Sequence, residues 1–135
     1  MKPLAIITGA AGLIGQYVIK NASRWAPDWE VHGLSRADLD LTDQRAVEQR
    51  VAADRQHLAV SVIHCAALSR TKDCERDPQQ ARRINVEATV YLADCSKEIP
   101  FVFLSSGEVF DGQVGWYREM DHANPINVYG QTKLE

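Results

Sequence analysis

The sequence predicts an α/β domain built on a doubly wound parallel sheet, and three observations carry that prediction. Short β-rich apolar runs alternate with longer segments of helical period along the 135 residues, the signature of successive βαβ units. The first run, Leu4-Ala-Ile-Ile7, has no polar alternation, as expected of a strand covered on both faces. Between it and the first helical segment stands Gly9-Ala-Ala-Gly12-Leu-Ile-Gly15, a glycine-rich turn at the point where such sheets bind phosphate.

Pro3 to Thr8 forms the first strand. Ile14, Tyr17, Val18 and Ala22 recur at helical spacing and predict a helix from about Leu13 to Trp25, which Pro27 ends. Glu30 to Leu34 is a second strand, Ala37 to Leu41 a brief extended segment, and Thr42-Asp43 the cap of a helix reaching about Arg55. Val60 to His64 returns as a strand. Asp77-Pro78 opens a long helix whose apolar face is Ala81, Ile84, Ala88, Leu92 and Cys95. Pro100 to Ser105 reads as a further buried strand. From Ser106 to Pro125 the chain is rich in Gly, Asp and aromatic residues without a sustained period, so it predicts an irregular loop leading into a helix that carries Tyr129. No repeat, low-complexity tract or linker interrupts this order, and the length suits one domain with one core.

Composition narrows the function. Hydrophobic residues make up 45% and charged residues 24%, with a net charge of −3. No cluster of Lys or Arg forms a basic stripe, which argues against nucleic acid and for a small-molecule partner. The apolar runs fall short of a membrane span and the N-terminus lacks a signal-peptide stretch, so a cytoplasmic location is expected. Cys65, Cys74 and Cys95 are odd in number and have no Cys-x-x-Cys spacing, which predicts reduced thiols, with Cys65 and Cys95 packed in the interior, and neither a disulfide framework nor a zinc site.

Glycine at positions 9 and 12 lets the backbone approach a pyrophosphate at the helix start, and Gly15 lets helix pack on strand. At the end of the second strand, where an acidic residue would bind a free ribose 2′-hydroxyl, stand Ser35 and Arg36. A guanidinium there grips a 2′-phosphate, so NADP(H) is favoured over NAD(H), although Asp38 and Asp40 lie close by. Ser105-Ser106 falls at the C-terminal end of a strand, where open sheets bind ligands. Tyr129 and Lys133 are four residues apart on one helical face. An unperturbed phenol titrates near ~10, and a neighbouring ammonium favours its phenolate. The spacing by itself more often describes an ordinary surface pair, so the residues before it decide. Ser106, Tyr129 and Lys133 together form a carbonyl-reducing set, in which Ser106 orients the oxygen, Tyr129 gives the proton, and Lys133 tunes the phenol and holds the nicotinamide ribose.

The glycine turn, Ser105-Ser106 and the Tyr129/Lys133 pair resemble the extended short-chain dehydrogenase/reductase superfamily, with its Rossmann-type fold. Val109-Phe-Asp-Gly112, Glu119, Asp121 and Pro125-Ile-Asn-Val-Tyr-Gly-Gln-Thr-Lys133 are more specifically similar to the dTDP-4-dehydrorhamnose reductases, as are Asp40-Leu-Thr-Asp43, Glu75 to Pro78 and Asn85. The resemblance covers essentially the whole chain in order. It implies cofactor contacts at Gly12, Leu13 and Ile14, at Asp40 and Leu41, and at Ala66, Ala67 and Leu68, with Asn85 as a structural or water-holding residue. Two departures stand out: His64-Cys65-Ala66 where Asn-Ala-Ala is usual, and Ser106-Gly107-Glu108 where Thr-Asp-Tyr is usual, the latter on the substrate side.

The expected activity is NADPH-dependent reduction of a nucleotide-linked 4-keto sugar. A nucleotide-sugar epimerase or dehydratase, and a noncatalytic NADP-binding regulatory subunit like the β subunit of methionine adenosyltransferase, are the competing expectations. The sequence is compatible with a homodimer. The chain stops two residues after Lys133, so residues 1–135 are expected to be an NAD(P)-binding domain lacking its last strands and the substrate-binding part, with little or no turnover alone.

Overall fold

The computed structural model describes residues 2–57 and 59–135. Four strands, β1 (Leu4–Thr8), β2 (Glu30–Leu34), β3 (Val60–His64) and β4 (Phe101–Phe103), make one parallel sheet in the order β2-β1-β3-β4. Leu4 pairs with Glu30 on one side and Val60 on the other, and Val62 pairs with Phe101. Parallel neighbours need crossovers. Helix α1 (Leu13–Trp25) joins β1 to β2, and α2 (Gln44–Asp54) joins β2 to β3.

The chain divides into two units. The first comprises the residues up to Ala67 together with Ala88–Leu104. It holds the sheet, α1, α2 and the later helix α5 (Ala88–Cys95). Central β1 is buried along its whole length, and its pleat sends alternate side chains to opposite faces. Leu4 and Ile6 join Leu34, Val62, Val47 and Val51 of α2, and Leu92 of α5 in one core. Ala5 and Ile7 line an apolar groove on the other face with Val18 and Ala22 of α1. Helices therefore cover both faces, which is the doubly wound arrangement. Each fully buried aliphatic side chain contributes about 1.5–3 kcal/mol relative to exposure. Asp43 caps α2 by accepting from Ala46 N at 3.1 Å.

Two sequence expectations in this unit need correction. Residues 37–41 are not extended: Ser35 O accepts the N–H groups of Asp38 and Leu39 at 3.1 and 3.0 Å, closing a turn. The Asp38 carboxylate reaches back to Ser35, the local bonding through which aspartate favours turns over strands. The strand expected at 100–105 is shorter, and Val102 and Phe103 are 49% and 38% exposed rather than buried. Among the described strands β4 pairs only with β3, as an edge strand.

The second unit comprises Leu68–Glu87 and Ser105–Glu135. It contains α3 (Thr71–Arg76), α4 (Pro78–Arg82), a π-helical turn (Arg83–Glu87), a 3-10 turn (Gly107–Val109) and α6 (Val128–Leu134). Asp77 caps α4 through Gln80 N at 2.9 Å, and Pro78 occupies its first turn, as the sequence predicts. The long helix expected after Pro78 carries a π turn, and Asn85 and Val86 within it are buried. Such turns insert one residue into the ladder and re-aim the side chains around them. Helix α3 was not expected. Its six residues bury only Cys74, so it leaves no periodic signal.

Candidate functional site

In the first unit the glycine turn is closed as tightly as glycine permits. Gly9 has φ +70°, and a Cβ there would stand 2.6 Å from Ala66 N. A Cβ on Gly15 would overlap Gly9 O, so Gly15 is the close-packing position. Gly12 N donates to Gly9 O at 2.9 Å, and the first helical bond of α1 runs from Gln16 N to Gly12 O. The N–H groups of Leu13, Ile14 and Gly15 consequently have no i−4 partner, and Gly12 supplies no side-chain cap. Leu13 and Ile14 are 88% and 53% exposed. A turn without Cβ atoms at its closest approaches, ending in free first-turn donors, fits the pyrophosphate of a dinucleotide.

At the end of β2 the donors are engaged by carboxylates. Asp38 Oδ2 accepts from Ser35 Oγ at 2.6 Å and from Ser35 N at 2.8 Å. These two bonds, the hydroxyl first, hold the Asp38 carboxyl below its ordinary range. Arg36 lies 3.8 Å from Asp40, an exposed pair worth ~0–1 kcal/mol. Asp40 Oδ1 also accepts from Thr42 N and Oγ1 at 2.9 and 2.7 Å, and Leu41 packs against the core. Arg36 is thus held weakly enough to turn to a ligand phosphate.

At the end of β3, Cys65 N donates to Thr8 O at 3.3 Å and Ala66 N to Thr8 Oγ1 at 3.4 Å. His64 is 1% exposed and hydrogen-bonded through both ring nitrogens. That environment is that of a hydrogen-bonded structural histidine.

In the second unit, Tyr129 and Lys133 lie on α6 at i and i+4. Tyr129 is half-buried, while Lys133 is only 8% exposed, unusual for an ammonium. Ser106 precedes the 3-10 turn and its Oγ accepts from Glu108 N at 3.2 Å. That turn packs on α6: a Cβ on Gly130 would overlap Glu108 O. Ser106 is thereby set on the segment that α6 rests against. Asn85 ties the unit together. Its Oδ1 accepts from Leu68 N at 2.7 Å, and its Nδ2 donates to Leu68 O at 3.0 Å and to Thr132 Oγ1 at 2.9 Å. Thr132 Oγ1 donates in turn to Tyr129 O at 2.8 Å. The amide expected to be structural or water-holding is a three-way clasp on the Leu68 backbone and the Tyr129 helix.

The expected site residues therefore fall into two groups. Gly9, Gly12, Leu13, Ile14, Gly15, Arg36, Asp40, Leu41, Ala66 and Ala67 belong to the first unit, and Leu68, Ser106, Tyr129 and Lys133 to the second. Three residues that the sequence marks only as part of the resemblance have supporting roles. Asn127 caps α6 through Gly130 N at 2.7 Å and donates to Glu108 at 2.6 Å. Glu75 accepts from Val128 N at 2.8 Å. Thr132 carries no signal beyond its place beside Lys133, whereas Asn127 before a helical run was a legible cap. Among the described residues no group of three metal-binding side chains comes together, and no helix is long and apolar enough to cross a membrane.

Known proteins resemble the chain in sequence and in fold. The chain is 39% identical to the β subunit of methionine adenosyltransferase 2 from Xenopus tropicalis over 97% of its length, covering 40% of that protein. It is 34% identical to a dTDP-4-dehydrorhamnose reductase from Streptomyces griseus over 98% of its length, covering 43% of it. A solved dTDP-4-dehydrorhamnose reductase from Bacillus anthracis, in complex with NADP, superposes with a TM-score of 0.90 at 30% identity, over 99% of this chain and 47% of that one. The chain thus spans less than half the length of each of these relatives. The sequence profile of the RmlD substrate binding domain matches residues 2–135. With a parallel sheet in this order, a glycine turn after β1 and the Tyr129/Lys133 helix, the chain belongs to the RmlD substrate binding domain family, and its fold is that of the dTDP-4-dehydrorhamnose reductases.

Proposed function

We propose that residues 1–135 are the NAD(P)-binding part of an NADPH-dependent reductase of a nucleotide-linked 4-keto sugar. The observation that carries this reading is Lys133, a nearly buried ammonium one helical turn from Tyr129 on α6. In this reading the N–H groups at the start of α1 and the bare turn at Gly9 and Gly12 hold the pyrophosphate, and Arg36 takes the 2′-phosphate. NADPH, when bound, supplies the hydride. Ser106 donates a hydrogen bond to the substrate carbonyl, Tyr129 gives that oxygen its proton, and Lys133 holds the nicotinamide ribose beside them. Both Oγ and Oη are hydroxyls able to serve those roles, and Asn85 fixes the helix that bears the second.

The test is NADPH oxidation by the intact protein across a panel of 4-keto nucleotide sugars. Turnover with one of them is expected. Tightly bound oxidised cofactor with no net NADPH consumption would instead mark an epimerase or dehydratase. A regulatory subunit is the second reading, favoured by the higher identity to a methionine adenosyltransferase β subunit, 39%, than to the reductase from Streptomyces griseus, 34%. No NADPH oxidation on any sugar, with copurification of another enzyme, would decide for it.

A further inference from the structure

We propose that His64 is a positioning residue for the glycine turn, acting through its Nδ1 and the hydroxyl of Thr8. The inference rests on the reading of that turn as a pyrophosphate cradle. His64 ends β3 with 1% exposure, and its ring lies beside Phe103 (6.3 Å, 19°) and Phe101 (5.9 Å, 35°). Its two nitrogens lead to different places. Nδ1 is 2.7 Å from Thr8 Oγ1, on the residue immediately before Gly9. Nε2 is 2.9 Å from Thr89 Oγ1, on α5.

Only the first of these arms reaches the turn. Thr8 Oγ1 also accepts from Ala66 N at 3.4 Å, a long bond that survives only if the hydroxyl keeps its rotamer. That one oxygen joins the Gly9 backbone to the backbone at 65–66, and the two stretches approach so closely that a Cβ on Gly9 would meet both Ala66 N and Cys65 C. With Nδ1 as its partner the threonine cannot rotate without leaving a buried ring nitrogen unpaired, which is penalised more than an exposed loss. The Nε2 bond to Thr89 anchors the ring against α5.

The two arms can be separated by substitution, because the amide of asparagine reaches the place of Nδ1 and that of glutamine the place of Nε2. In the intact protein, NADP+ affinity is measured by titration calorimetry, with thermal unfolding in parallel. His64→Asn is expected to stay within about threefold of wild type, and His64→Gln to weaken binding about tenfold, the scale of one buried hydrogen bond. Thr8→Val should follow His64→Gln, and Thr89→Val should follow wild type even if its unfolding temperature drops. The Thr8 and Thr89 variants keep the inference testable if a histidine variant fails to fold. Equal losses in both His64 variants, losses that track unfolding temperature, or full affinity in Thr8→Val would overturn it. A wild-type protein that binds neither NADP+ nor NAD+ would overturn the cradle reading and this inference with it, an outcome distinct from the others.

Discussion

At the scale of single residues, the sharpest commitments are at Gly9, Asn85 and Asp111. Gly9→Ala places a Cβ at φ +70° and 2.6 Å from Ala66 N, where backbone has no room to yield. The strain alone costs about 1–3 kcal/mol, and the variant is expected to lose NADP+ binding in a calorimetric titration. Asn85→Ala removes the partner of Leu68 N and one of the two donors to Leu68 O, which keeps the Cys74 thiol, together with the bond to Thr132. Each buried group left unpaired costs about 1–3 kcal/mol, so the urea midpoint should fall clearly. Asp111 is held below the ordinary carboxylate range chiefly by the Tyr117 hydroxyl, then by Gln113 N and the Asn124 amide. A depressed folded pKa stabilises above the unfolded value of ~3.9 and is lost as pH falls through the folded one. The 111–124 loop should therefore keep these bonds until below that range. In Tyr117→Phe, the Asp111 resonance followed by NMR should titrate closer to ~3.9.

At the scale of elements, α6 is short and depends on what holds its start. Seven residues are too few for an independent helix, and its N-terminus is secured by Asn127 from within and by Glu75 against Val128 N. Asn127→Ala should cost about 1 kcal/mol as a lost cap, and Gly130→Ala should cost more by forcing α6 away from Glu108 O. Chemical denaturation distinguishes the two by the size of the shift. The same elements explain what the sequence made legible. The strands β1 to β3 and helices α1 and α2 follow from apolar period, caps and proline stops, which are local. The 36–38 turn did not, because the choice between extension and turn rests on Asp38 returning to Ser35. Nor did α3 or the π turn: the first is nearly all polar, and the second is visible only in the Asn85 clasp between segments distant in sequence. In the site, Tyr129, Lys133 and the glycines were legible because their chemistry is written in spacing. Thr8, His64 and Thr132 act through contacts 25 to 58 residues away, which no spacing displays.

At the scale of the whole molecule, the sheet and glycine turn belong to one unit and Ser106, Tyr129 and Lys133 to the other. In the proposed reaction the first supplies cofactor binding and the second the proton. The chain spans 47% of the solved Bacillus anthracis reductase and 43% of the Streptomyces griseus one. On the proposed division of labour, residues 1–135 on their own should show little or no turnover, and a robust rate from them would contradict it. The central claim is that Tyr129 is the proton donor of a carbonyl reduction. Its most direct test compares NADPH-dependent reduction of a 4-keto nucleotide sugar by the intact wild-type protein and by Tyr129→Phe, with NADP+ affinity measured alongside. Without Tyr129 as the proton donor, kcat/KM should drop by about 10²–10⁴ at unchanged cofactor affinity; a Tyr129→Phe protein that reduces the sugar at the wild-type rate would contradict that role.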